Sequence, residues 1–239
     1  MTMRVCQRTH QGLVRASNQD SLLVDKSVYG VADGMGGHNG GETASRVAVQ
    51  VVKNALRGKK PEQHALEVSI EAANRRIYDM SRHDSSLSGM GTTLTFLWED
   101  ENELLIAHVG DSRTYLLRDG QLLQVTRDHS VVAELVRNGV ITQEAARTHP
   151  YRNVITRAVG VDPTVEADML THDKQPGDLW LVCSDGLYTM VDDAHIKEAL
   201  ETAEDDEAAA DELLKLALDG GGKDNVSFVL CRITEVTAS

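Results

Sequence analysis

The sequence predicts an α+β fold with mostly antiparallel sheet. Short apolar runs that are typical of strands come in blocks, whereas a doubly wound fold would alternate strands with helices. In addition, Asp119-Gly120 separates two apolar segments. An Asp-Gly pair is the preferred sequence of a two-residue turn with positive φ, so this segment predicts a β-hairpin.

Strands are predicted wherever short runs of apolar and β-branched residues are bounded by turn residues. These runs cover residues 3–8, 21–24, 28–32, 92–98, 104–109, 113–117, 121–125, 179–183 and 226–233.

Helices are predicted where apolar residues recur at a spacing of three or four. Two long ones run through residues 44–55 and 66–80, with Pro61 near the first turn of the second. We expect this pair to cover one face of a sheet. Shorter helices are predicted at 130–138, 142–147, 193–203 and 207–218.

Composition restricts the class of protein. The 239 residues carry a formal net charge of −13, which disfavours non-specific binding to nucleic acid or to anionic lipid. There is no repeat, no linker of biased composition and no apolar run of the ~18 residues that a membrane span needs. We therefore expect one domain over residues 1–239, with neither nucleic acid nor a membrane as partner.

The cysteines indicate a reducing compartment. Cys6, Cys183 and Cys231 are far apart, odd in number and each within an apolar run. This pattern favours reduced core thiols in a cytoplasmic protein over a disulfide framework or a structural zinc site.

Five aspartates lie where apolar strands meet loops: Asp20, Asp33, Asp111, Asp185 and Asp224. Asp33 and Asp185 follow runs rich enough in Val, Leu and Ala to be central strands. A carboxylate there is costly to desolvate unless a cation compensates it, so a functional role is favoured. For the other three, the residues alone leave a turn or cap and a functional role equally open.

Carboxylates and carbonyls are the ligands of hard cations such as Mg²⁺ or Mn²⁺, and the histidines do not cluster at zinc-ligand spacing. Because one divalent ion neutralises only two carboxylates, a cluster of four or five predicts a site for two or three ions.

A glycine-rich run, residues 36–43, has the G-x-x-x-x-G spacing of a nucleotide-binding loop. Glu42 stands where that loop requires a lysine, and its charge would repel phosphates, which excludes this class of site. We interpret the glycines as permitting close packing and a backbone carbonyl that faces a metal.

Six motifs in this order resemble the bacterial branch of the metal-dependent Ser/Thr protein phosphatases, the PPM family or protein phosphatase type 2C. They are Arg-x-x-Asn-Gln-Asp at 15–20, Ala-Asp-Gly-Met-Gly-Gly at 32–37, Met-Gly-Thr-Thr at 90–93, Gly-Asp-Ser-Arg at 110–113, Ser-Asp-Gly at 184–186 and Asp-Asn at 224–225. The resemblance implies two antiparallel sheets packed as a sandwich, with helices on both outer faces and metals at one edge between the sheets.

The resemblance also implies a set of metal ligands. Asp33 would bridge two Mn²⁺ or Mg²⁺ ions, and the Gly34 carbonyl would hold one of them. Asp185 and Asp224 would hold the other ion, and Asp20 would support the cluster directly or through water.

Other roles follow from the same resemblance. Asp111 would join Asp185 at a third, weaker metal site, and Arg15 would bind substrate phosphate. Residues 129–160 would form a flap beside the site. Met35 stands where many eukaryotic members have a proton-donating histidine. His38 is a substitute donor, or simply a loop histidine at the rim.

The predicted activity is hydrolysis of phosphoserine and phosphothreonine on proteins by a metal-activated water. No cysteine has an arginine six residues later, which argues against a cysteine nucleophile. A monomeric enzyme that counteracts a bacterial Ser/Thr kinase is the expected setting. The alternatives are a catalytically silent phosphoprotein-binding module and a metal-dependent phosphodiesterase or nuclease.

Overall fold

The computed structural model describes residues 1–37 and 40–235. Its strands are β1 (Thr2–His10), β2 (Asp20–Asp25), β3 (Val28–Met35), β4 (Gly91–Thr92), β5 (Leu94–Glu99), β6 (Glu103–Val109), β7 (Arg113–Arg118), β8 (Gln121–Gln124), β9 (Asp168–Asp173), β10 (Leu179–Cys183) and β11 (Val226–Thr234). Its helices are α1 (Gly40–Leu56), α2 (Gln63–His83), α3 (Val131–Arg137), α4 (Gln143–Arg147), α5 (Asp185–Tyr188), α6 (Asp193–Thr202) and α7 (Asp206–Asp219), with a 3₁₀ turn at Ser85–Leu87.

The strands form two antiparallel sheets packed face to face. One has the order β1-β11-β10-β7-β8, and the other has the order β2-β3-β5-β6-β9 with β4 beside β3. Val31, Ile106, Trp180 and Val229 are among the buried side chains packed between them. The predicted antiparallel sandwich is confirmed.

Helices cover both outer faces because each presents an apolar stripe to a sheet. On α1, Ala44, Ala48 and Val52 belong to a buried cluster that also contains side chains of α2, β5 and β6. A second cluster joins α5, α6 and α7 to β7, β10 and β11. The predicted flanking of the sandwich by helices is confirmed.

The hairpin predicted at Asp119-Gly120 is also confirmed. Arg118 pairs with Gln121 and Leu117 pairs with Leu122 across the turn. Both turn residues have positive φ, +50° at Asp119 and +68° at Gly120, as a type I′ turn requires.

Two local predictions differ from the structure. Strand β9 was not predicted, since four of the six residues in its sequence DMLTHD are polar and it pairs only with β6. The strand predicted over 92–98 is divided at Thr93, which donates its amide to the Asp33 carbonyl at 2.8 Å. Pro61 lies near the first turn of α2 as predicted, directly before the N-cap residue Glu62.

None of the helices in the described part of the chain is both long enough and apolar enough to cross a membrane.

Candidate functional site

An open pocket of about 240 Å³ lies at one edge of the sandwich. The predicted site residues Arg15, Gly34 and four of the five aspartates line it, namely Asp33, Asp111, Asp185 and Asp224. Side chains that are far apart in the sequence, such as Arg15 and Asp224 at a separation of 209 positions, therefore share one cavity.

Asp20 lies directly beside this pocket. It pairs with Asp33 across strands β2 and β3, and side chains opposite each other in an antiparallel pair lie on the same face of the sheet, ~5 Å apart. The hydroxyl of Ser184, which follows β10 in the other sheet, donates a 2.8 Å hydrogen bond to Asp20 Oδ2. Asp20 thus joins the two sheets at the edge where the pocket opens.

The position of Asp33 is set by the two threonines that follow Gly91. Its amide donates to Thr93 Oγ1 at 2.9 Å, and its carbonyl accepts from Thr92 Oγ1 at 2.8 Å. Thr93 in turn hydrogen-bonds Ser112 Oγ at 2.7 Å, which connects Asp33 to the loop that carries Asp111. The two acidic residues are therefore linked through short buried hydroxyl contacts.

Glycines allow α1 to approach the pocket closely. A Cβ atom at Gly34 would overlap the Gly41 carbonyl oxygen, and one at Gly41 would lie 2.7 Å from the Gly34 carbonyl carbon. This is the close packing that the glycine-rich run predicted. His38 lies outside the described residues, so its prediction as a proton donor is untested.

Asp185 and Asp224 come from neighbouring loops of the first sheet. Asp185 is the first residue of α5, one residue after the end of β10, and Asp224 lies shortly before β11. Asp224 accepts a 2.6 Å hydrogen bond from Arg15 Nη2. The next residue, Asn225, binds the Gln19 amide at 2.8 Å, so the loop of Asp224 is tied to the segment that precedes β2.

The carboxylates are electrostatically unfavourable in this arrangement. Burial raises the pKa of Asp20 and of Asp111 to about 6, and the neighbouring acids add to both shifts. Burial and the charges of the other aspartates raise the pKa of Asp33 and of Asp185 well above the usual range. A site with this much buried negative charge favours a cation.

Comparison with known proteins assigns the family. The sequence profile of the protein phosphatase 2C family matches residues 8–219. The chain belongs to this family. Serine/threonine phosphatase stp of Listeria monocytogenes is 38% identical over 234 residues, covering 93% of each chain. Serine/threonine protein phosphatase PstP of Mycobacterium tuberculosis is 40% identical over 98% of this chain, which spans only 46% of that relative's length.

Solved protein phosphatase structures have the same fold. The M. tuberculosis PstP structure superposes with a TM-score of 0.92 at 39% identity, covering 98% of this chain and 100% of that chain. A structure of the PstP catalytic domain in complex with two manganese ions has a TM-score of 0.89 at 38% identity, covering 98% of this chain and 99% of the other.

The donor chemistry of the pocket fits hard divalent ions. Among the residues described, Asp20 Oδ1 is buried without a hydrogen-bond partner, although it is a carboxylate oxygen beside a polar pocket. The lining contributes carboxylates and backbone carbonyls, which Mg²⁺ and Mn²⁺ prefer. In residues 1–37 and 40–235, no group of three or more Asp, Glu, His or Cys side chains is arranged as it stands to hold a metal ion. The structure gathers the donors around an open cavity.

Sequence reasoning missed several residues of the candidate site. Asn153 and Ile155 line the pocket from the segment predicted to be a flap, but no motif marks them. Tyr188 contacts the Asp111 carbonyl at 2.9 Å from the end of α5. These contacts depend on segments that are far apart in the chain, so no local pattern could have indicated them.

Proposed function

We propose that this chain hydrolyses phosphoserine and phosphothreonine on proteins in a metal-dependent reaction. One observation carries the proposal: four aspartates and one arginine, from segments spread over the chain, line a single pocket in a protein phosphatase 2C family member. Phosphorylated proteins would be its substrates, and a bacterial Ser/Thr kinase its counterpart.

The aspartates would hold two Mn²⁺ or Mg²⁺ ions. Asp33 and the Gly34 carbonyl would hold one ion, and Asp185 and Asp224 would hold the other, with Asp20 supporting them. The proposal is supported by the lining of the pocket and by the pairing of Asp20 with Asp33. Asp111 with Asp185 would hold a third, weaker ion. Bound ions of this kind lower the pKa of a water molecule and stabilise charge that develops on phosphate oxygens.

Arg15 would bind the substrate phosphate. Asp224 holds one guanidinium nitrogen at 2.6 Å, while the side chain remains about half exposed at the pocket. The guanidinium is therefore oriented and still has donors left for phosphate oxygens. The negative net charge of the chain does not oppose this, because exposed charges are screened beyond ~8 Å at physiological ionic strength.

The remaining predictions belong to the same proposal. His38 would protonate the leaving alcohol, and residues 129–160 would act as a flap. The chain would work as one monomeric catalytic domain over residues 1–239, in the cytoplasm.

The test combines ion binding with turnover. We expect calorimetry to detect Mn²⁺ binding to the wild type, and Mn²⁺-dependent hydrolysis of p-nitrophenyl phosphate and of a phosphothreonine peptide. Asp33→Asn should abolish both, and Asp79→Asn on the exposed face of α2 serves as its matched control. Phosphopeptide binding without turnover would favour the silent binding module, and a preference for diesters would favour a phosphodiesterase or nuclease.

Arg15→Ala tests the phosphate-binding role. The expected result is a KM for phosphopeptide about tenfold higher with a smaller change in kcat, as for a residue that positions substrate. The exposed ion pair with Asp224 contributes little to stability, so the melting temperature should barely move. A collapse of folding with no specific change in KM would contradict the assignment.

A further inference from the structure

Two aliphatic side chains are exposed next to the proposed phosphate-binding arginine. Leu13 is 64% exposed and Val14 is 69% exposed, and Arg15 follows them directly at the pocket. Single exposed aliphatic residues are common on protein surfaces, but two in succession beside a pocket mark a contact surface when the backbone holds them in place.

The backbone of this segment is held firmly. Leu13 donates its amide to the Gly222 carbonyl at 2.7 Å, and Gln11 Nε2 donates to the Arg15 carbonyl at 2.6 Å. Gly12 has φ +78° and packs so tightly on the Asp224 carbonyl that a Cβ would overlap it. The two aliphatic side chains are thus presented by an ordered segment, and this segment loses little chain entropy when a ligand covers it.

The lining of the pocket is also partly apolar. Ile155 lines the cavity beside Asn153, and Val154 between them is exposed. A peptide whose phosphorylated residue enters the pocket would therefore meet apolar as well as polar side chains.

Leu13 and Val14 lie within two residues of Arg15, which lines the pocket. Consecutive Cα atoms are ~3.8 Å apart, so Val14 and Leu13 lie within about 4 and 7 Å of the Arg15 backbone. The residues one and two positions from a phosphorylated side chain lie at the same distances along a substrate peptide.

We infer that Leu13 and Val14 form a contact surface for an aliphatic residue within two positions of the phosphorylated serine or threonine in a protein substrate. This inference rests on the proposed phosphatase function and names the substrate class: segments with a branched apolar residue close to the phosphate. Such substrates are preferred over polar ones because the apolar residue is buried against Leu13 and Val14.

The experiment compares two phosphothreonine peptides that differ only in the four positions flanking the phosphothreonine, leucine in one and serine in the other. For the wild type we expect kcat/KM to be about tenfold higher with the leucine peptide, as partial burial of one leucine side chain provides. In Leu13→Ser/Val14→Ser the ratio should fall to near one. Leu123→Ser, at an equally exposed leucine on β8, should keep the wild-type ratio.

The near-isosteric variant Val14→Thr provides a second test that does not depend on the double variant folding, and it should lower the ratio part of the way. A wild-type ratio near one, or an unchanged ratio in the serine and threonine variants, would overturn the inference while leaving the phosphatase proposal intact. A wild type that cleaves neither peptide nor p-nitrophenyl phosphate would instead overturn the proposed function.

Discussion

The hydroxyl of Tyr188 donates a hydrogen bond to the backbone carbonyl of Asp111 at 2.9 Å. The Tyr188 ring also lies against Arg113, whose guanidinium carbon is 3.6 Å from the ring centroid. Arg113 is held in turn by Asp128, with the shortest of three hydrogen bonds at 2.7 Å. Through this network the short helix that begins at Asp185 is joined to the loop that carries Asp111.

Tyr188→Phe tests whether this contact positions the Asp111 loop. The ring stays beside Arg113, but the carbonyl loses its donor in a buried environment, which costs about 1–2 kcal/mol in the free energy of unfolding. We also expect the Mn²⁺ concentration for half-maximal activity to rise severalfold. Tyr78→Phe on α2 is the control. An unchanged Mn²⁺ requirement would show that Tyr188 is only structural.

Asp185→Asn is expected to have opposite effects with and without metal. Burial and the charges of Asp111, Asp224 and Asp20 oppose ionisation of Asp185. A neutral isostere therefore stabilises the metal-free protein near pH 7.5 by about 1 kcal/mol. The measurement is thermal unfolding of the wild type and of Asp185→Asn, each without and with added Mn²⁺.

Saturating Mn²⁺ should stabilise the wild type by about 2–3 kcal/mol at a hundredfold excess over Kd, but not Asp185→Asn. Asp79→Asn should respond to the ion as the wild type does. Equal stabilisation of Asp185→Asn and wild type by Mn²⁺ would remove Asp185 from the ligand set.

Gly34→Ala tests the close approach of α1 to the pocket. The added methyl group would overlap the Gly41 carbonyl oxygen, which is backbone and cannot rotate away. We expect a loss of about 3 kcal/mol or more in a urea unfolding experiment. Gly37→Ala, which would place its methyl group in open space, should change stability by less than about 0.5 kcal/mol. Equal effects at both positions would contradict this packing.

His108 is buried between the sheet and the segment that follows β8. Its Nε2 lies 2.9 Å from the Arg127 carbonyl, which only accepts, so Nε2 carries the proton and Nδ1 accepts from Thr95 Oγ1 at 2.8 Å. Burial and the adjacent His129 lower the pKa of His108 to about 4, against opposing contributions from Asp128 and Asp168. The ring is therefore neutral in the folded protein at pH 7.

This lowered pKa predicts acid destabilisation. The unfolded chain binds a proton at His108 near pH 6.5, whereas the folded protein does so near pH 4. The stability from the neutral ring is complete above pH 6.5 and is lost as the pH falls towards 4, which amounts to about 2 kcal/mol between pH 7.5 and 5.

His108→Gln should remove this part of the pH dependence, because the amide can make both hydrogen bonds without titrating. The check is the free energy of unfolding at pH 7.5 and at pH 5 in the variant and the wild type, with His64→Gln on α2 as control. If the free energy of unfolding fell equally from pH 7.5 to pH 5 in His108→Gln and in the wild type, His108 would not be the source of the acid destabilisation.

Much of the fold could be predicted because its signals are local. The spacing of Ala44, Ala48 and Val52 on α1 follows the helical period, and both residues of the Asp119-Gly120 turn adopt the predicted positive φ. The mostly polar edge strand β9 was missed, since it pairs on one side only and needs no continuous apolar run.

For the site, the sequence alone determined which charged residues lie near the ends of strands. These are Arg15 and the aspartates, most of which line one pocket in the structure. Only the tertiary structure decided that Asp20 stands opposite Asp33, that Asn153 reaches the cavity and that Tyr188 contacts Asp111. Residue type and local period are set by neighbours in the chain. Register and loop contacts instead depend on partners tens to hundreds of residues away, whose positions are fixed only when both sheets pack.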